Sequence, residues 1–114
     1  MTTPVAIDFK ARAQKGFDFL QRQRPGWLHA VDLPSLELSD CRFCVLGQLM
    51  GDYEDGIVSL ALDYHTTAVD HGFSLTGSEV LELRKIYGND SAEIYAPLTE
   101  AWRELIIAAR AEQT

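Results

Sequence analysis

Apolar side chains at Ala6, Phe9, Ala13, Phe17 and Leu20 return at steps of three and four residues. That spacing places them on one side of a helix, whereas a strand would scatter them over both faces. The rhythm recurs in Val80, Leu83 and Tyr87, and again in Leu98, Trp102, Leu105 and Ala109. Helices striped in this way are stable only when the stripes close on one another, so the chain is expected to pack helix on helix. The expected fold is mainly α: a single domain over residues 1–114, with about five helices and a short extended or β segment near residues 27–38.

Capping and stop signals set the expected boundaries. Thr3 and Pro4 suit the start of the first helix, and Pro25-Gly26 stops it. Val31, Leu33, Leu36 and Leu38 alternate with other residues around Pro34-Ser35, which reads as extended chain. Ser39-Asp40 offers a cap for a helix from Cys41 to Met50, with Gly51 as its terminator. Asp52 opens the next helix, with Tyr53, Ile57, Leu60, Ala61 and Tyr64 inward. A short turn through Thr67–His71 ends at Gly72. Thr76 and Glu79 form a capping-box pattern that opens a helix closing at Gly88, and the last helix is expected to begin near Pro97. Ile106 and Ile107 lie beside its core stripe as an apolar flank able to pair two chains, so the sequence leaves oligomeric state open.

Charge narrows the function classes. The 114 residues carry 17 acids and 10 bases, a formal net charge of −7, which argues against a nucleic-acid binder that works by neutralising phosphates. The distribution is uneven: residues 1–26 are net +3, residues 27–70 net −7 and residues 71–114 net −3. Such polarity suits electrostatic steering of a protein with a basic patch. Asp52, Tyr53, Glu54 and Asp55, in the acidic stretch, are the candidate partner-binding residues. An acidic mimic of nucleic acid is a variant of that reading. There is no apolar run of membrane-spanning length and no signal-peptide pattern, so the expected location is the cytoplasm, with no membrane partner.

Cys41-x-x-Cys44 is the feature closest to chemistry. On a helix the two sulfurs would share a face and fill the core, the commonest use of free cysteine. As metal ligands they supply half of a tetrahedral zinc site, and His65 and His71, at the spacing used by two-Cys, two-His sites, are candidates for the other half. As a redox pair, Cys41 would gain from a helix N-terminus and lose from the adjacent Asp40, without the βαβ surroundings of a thioredoxin-like motif. Ser59, Asp63 and His65 are the residue types of a hydrolytic triad, but no nucleophile elbow surrounds them. No phosphate-cradling glycine motif is present. The expectation is therefore a protein without catalytic residues and without a cofactor, zinc being the one alternative.

The runs Arg24-Pro25-Gly26-Trp27, Val31-Asp32-Leu33, Leu36-Glu37-Leu38, Cys41-x-x-Cys44-Val45-Leu46-Gly47-Gln48-Leu49 and Gly51-Asp52-Tyr53 resemble small proteins of actinobacterial phages and their hosts. Gly72-Phe73 and Leu98-Thr99-x-Ala101-Trp102-Arg103 are looser echoes. The resemblance covers residues 20–62 best. It implies a phage or prophage accessory protein that acts by binding a host or phage protein, and it carries over no catalytic residue. The alternative is a structural zinc-binding or redox-responsive module built on the cysteine pair.

Overall fold

Asp8 caps the first helix through its Oδ1, which accepts the Ala11 N–H at 2.9 Å. The computed structural model describes residues 7–64 and 66–112, so the expected Thr3–Pro4 start lies outside the described residues. Among these, the chain forms seven helices and no strand: α1 (Phe9–Gln23), α2 (Trp27–Ala30), α3 (Val45–Met50), α4 (Tyr53–Ser59), α5 (Thr67–Asp70), α6 (Gly77–Tyr87) and α7 (Ser91–Glu112). The chain is mainly α, as expected. The count exceeds five because Trp27–Ala30 and Thr67–Asp70 each wind into a helical turn.

The stripe of α1 is buried through Ala13, Gly16 and Leu20, and it packs against α7. Aromatic rings fill the junction. Trp102 is fully buried, stacked on Phe73 at 5.5 Å and edge-on to Trp27 at 6.0 Å; Trp27 in turn meets Phe17 at 5.2 Å. Both indole N–H groups find acceptors: Trp102 donates to the Gly72 carbonyl at 2.6 Å and Trp27 to Gln21 Oε1 at 2.8 Å. Gly16 is required here. A Cβ on it would sit 2.0 Å from the His71 carbonyl oxygen and 2.7 Å from the Trp102 ring.

Residues 27–38 form no strand: Trp27–Ala30 is helical and Leu33–Ser35 a turn, with Val31 extended between them. Their apolar side chains do go inward, with Trp27, Leu28, Val31, Leu36 and Leu38 all buried. The backbone, however, pairs with α7 side chains instead of another strand. Arg110 donates to the carbonyls of Leu28 (2.8 Å) and Val31, Arg103 donates to those of Leu33 and Leu36 (both 3.2 Å), and the Leu38 N–H donates to Thr99 Oγ1 at 3.1 Å. Thr99, Arg103 and Arg110 lie on one side of α7, so a single helix face holds the whole segment. Gln48 closes the next loop: its amide accepts the Asp32 N–H and donates to the Asp32 and Phe43 carbonyls.

Helix α3 begins later than expected and α4 ends sooner. Asp40 does cap a turn, accepting from Arg42 N at 2.8 Å, but that turn closes on Cys44, whose extended backbone (ψ 172°) resets the chain before α3. Helix α4 stops at Ser59, short of Tyr64, through a paired-carbonyl closure: Ala61 N–H donates to Val58 O and Leu62 N–H to Ile57 O. That closure puts Ala61 at φ 56°, the left-handed region. Helix α5 ends the same way on Gly72, φ 73°.

Helix α6 opens on the expected capping box of Thr76 and Glu79. Helix α7 starts six residues before Pro97. Asp90 accepts the Ala92 N–H at 2.9 Å, and Ile94, buried at 2% exposure, extends the stripe one turn upstream of Leu98. Pro97 therefore sits inside α7, where its ring forgoes one backbone bond. The radius of gyration, 13.6 Å, matches the roughly 13 Å of a compact chain this long.

Candidate functional site

The residues singled out for partner binding fall together at the start of α4. Asp52 caps the helix, its Oδ1 accepting the Glu54 N–H at 2.8 Å. Glu54 and Asp55 follow in the first turn, where carboxylates are stabilised by the positive end of the helix dipole. Both are exposed. Among the described residues, none of the ion pairs involves Asp52, Glu54 or Asp55.

Tyr53 faces the other way, half-buried against the core. Burial pushes its hydroxyl above the usual tyrosine range, against a hydrogen bond with Ser74 that pulls it down. Its ring lies 6.2 Å from that of Tyr64, which arrives from beyond the α4 terminus and donates to Glu54 Oε1 at 3.3 Å. Tyr64 is 42% exposed. Val58, one turn after Glu54 on the same helix face, is 75% exposed, the highest of the exposed large apolar side chains among the described residues. Val58 and Tyr64 are thus two exposed apolar groups that both neighbour Glu54, one along the helix and the other through its hydroxyl. Val58 was missed in the sequence, although it stands off the inward stripe of α4 and so had to face outward.

Other exposed apolar side chains are Phe43 near α3, Leu81, Ile86 and Tyr87 on α6, and Ile107 on α7. Ile106 is fully buried, so only Ile107 of that pair reaches the surface. A groove of about 500 Å³ runs between the start of α1 and α7, lined by Asp8, Lys10, Ala11, Gln14, Ala101, Glu104 and Leu105.

The two cysteines take different environments, against the expectation that both sulfurs share one buried face. Cys41 is exposed in the turn before α3, and Cys44 is buried at 2% exposure; both are free thiols. Cys44 is the N-cap of α3, its sulfur accepting the Gly47 N–H at 3.2 Å. Desolvation pushes its thiol up to about 11 despite that hydrogen bond. His71 closes α5, with Nδ1 2.7 Å from the Thr67 carbonyl and its ring edge-on to Phe19 at 5.0 Å. His65 lies outside the described residues. Among the described residues, no three His, Cys, Asp or Glu side chains gather as a metal would require. Asp63, named with Ser59 as a triad residue type, accepts the Thr66 N–H and hydroxyl at 3.0 Å, a turn contact. No described helix is long and apolar enough to cross a membrane.

No protein-family model, curated protein or solved structure matches the chain.

Proposed function

We propose that this is a small acidic accessory protein of phage or prophage type, working in a bacterial cytoplasm. It acts by binding a host or phage protein through the outer face of α4, not by catalysis. One observation carries the reading: Val58 and Tyr64 are exposed next to Glu54, and the first-turn carboxylates of α4 take no ion pair among the described residues. Exposed apolar groups with a charged rim are the common anatomy of a protein-binding surface. The rim selects a partner with basic residues around an apolar spot and sets the encounter rate, while Tyr64 and Val58 supply the desolvated centre. The sequence resemblance over residues 20–62 spans all of α4 and supports the same reading.

The test is capture of a stoichiometric partner from a host lysate by tagged protein, followed by affinity measurements on the purified pair. Val58→Asp and Tyr64→Ala should each weaken binding by about tenfold or more. Both should leave the melting temperature almost unchanged, since surface positions contribute little to stability. Affinity should fall as salt rises. Recovery of no partner at low or physiological salt, or binding indifferent to both substitutions, would refute the proposal.

A further inference from the structure

The cysteine pair sits where the binding face is anchored. The turn from Asp40 is closed by Cys44 N–H to Asp40 O at 2.9 Å. The Cys41 carbonyl has three neighbours. It accepts the Tyr53 N–H, the first amide of α4, at 2.8 Å. It takes a long contact from Cys44 Sγ at 3.8 Å. It also lies so close to Gly47 that a Cβ there would approach within 2.2 Å. Cys44 Sγ, in turn, caps α3 through the Gly47 N–H. One turn thus holds the starts of both α3 and α4, with no slack between its backbone and α3.

We propose that Cys41 and Cys44 close a reversible disulfide that uncaps α3 and loosens the start of α4, so that oxidation regulates the binding face. The regulatory consequence rests on the function proposed above; the disulfide and its structural effect do not. The Cys44 sulfur stands 3.8 Å from the Cys41 carbonyl oxygen across this turn, and a disulfide needs the two Cβ atoms roughly 3.5–4.5 Å apart. The bond is within reach, but only if the turn tightens. Tightening draws the Cys44 sulfur from the Gly47 N–H and shifts the carbonyl that holds Tyr53.

The oxidant is a small-molecule disulfide of the glutathione class. The exposed Cys41 thiolate attacks one of its sulfurs; a mixed disulfide forms as the small S–S bond breaks, and one small thiolate leaves. The Cys44 thiolate then attacks Cys41 Sγ, and the second small thiolate departs. Both protein thiol protons end on the two released thiols. The protein pair loses two electrons, and the small disulfide gains them.

The experiment incubates the full chain with oxidised glutathione and reads intact mass and amide hydrogen exchange, neither of which needs a binding partner. The expected product has lost two hydrogens, carries no glutathione and reverts with a dithiol reductant. In it the Gly47 and Tyr53 amides exchange about fivefold to tenfold faster, as loss of a single hydrogen bond predicts. Cys41→Ser and Cys44→Ser should show neither change, and Cys44→Ser keeps an oxygen acceptor at the cap, so it folds. A wild-type product stopping at one bound glutathione overturns the proposal. So does a disulfide that leaves both amides as protected as before. If the exchange changes appear and partner affinity does not move, the disulfide stands and its regulation of the α4 face fails.

Discussion

The junction of α1, α5 and α7 and the pair α3–α4 are built from the same kinds of residue and direct them oppositely. In the junction, polar side chains point inward to backbone: Trp102 to Gly72, Arg110 to Leu28 and Val31, Arg103 to Leu33 and Leu36. In α3–α4 the two helices are tied by Tyr53 N–H to Cys41 O and by Gly56 packed against Leu46, and Gln48 alone turns back to the Asp32 and Phe43 backbone among the polar side chains described for the pair, while the charged side chains of α4 face water. A region whose polar groups are consumed internally has little left to offer a partner. A region that leaves its carboxylates without ion pairs gives up that internal support and keeps its recognition chemistry available.

The two glycine contacts break this comparison most sharply. At Gly16 an added Cβ meets the His71 backbone oxygen at 2.0 Å, and neither helix can yield without separating. Gly16→Ala should cost about 3 kcal/mol or more and lower the melting temperature by roughly 10 °C or more in calorimetry. At Gly56 the nearest atom is the Leu46 side-chain Cβ at 2.8 Å, and alanine's better helix propensity offsets part of the clash. Gly56→Ala should therefore cost about 1 kcal/mol. Equal losses would mean that α3–α4 is as tightly fixed as the junction.

Acid should separate the regions next. Glu79 on α6 is hydrogen-bonded by the Arg12 guanidinium of α1 and also completes the capping box. The Arg12 hydrogen bond, opposed by burial and helped by Thr76, holds its carboxyl below the ordinary value of 4.5. Its folded-state affinity for a proton is lower than its unfolded one, so its contribution is complete above pH 4.5 and is lost as pH falls through the lower folded value. Glu79→Gln should lower stability by about 1–2 kcal/mol at neutral pH. That deficit, followed by melting temperature against pH, should stay constant down to pH 4.5 and shrink below it. Glu54→Gln, which removes a carboxylate with no ion pair among the described residues, should show no such shrinking deficit.

What the sequence made legible follows the same division. The helical class, the α6 capping box and the Pro25-Gly26 stop were readable because each depends on residues within a few positions of one another. The fixing of residues 28–38 was not, since its partners are Thr99, Arg103 and Arg110, some sixty to eighty positions away. Alternation of apolar residues there correctly predicted burial but did not show that the segment forms no strand, because arginines satisfy carbonyls that a strand would otherwise pair. For the candidate site, the cluster of Asp52, Glu54 and Asp55 was visible and Val58 was inferable from its place off the stripe. The split fate of Cys41 and Cys44 was not. It depends on one ψ angle at Cys44, and equal spacing in sequence cannot distinguish a cap from a helical residue.

The smallest expected effect concerns how α4 ends. Helices α4 and α5 close with the same two backbone bonds, yet α5 has Gly72 at the left-handed position and α4 has Ala61. An alanine Cβ crowds its own carbonyl in that conformation, at roughly 1 kcal/mol, while glycine adopts it freely. Glycine also gains freedom in the unfolded chain, which cancels part of the benefit. Ala61→Gly should accordingly stabilise the protein by about 0.5 kcal/mol, a rise of roughly 2–4 °C in melting temperature. The reverse exchange at Gly72 should be far more damaging, because a Cβ there would also meet the Arg12 backbone at 2.8 Å. If Ala61→Gly instead destabilises, the Ala61 methyl must contribute packing at the α4 terminus. The α3–α4 pair would then be more tightly built than its outward-facing charges suggest.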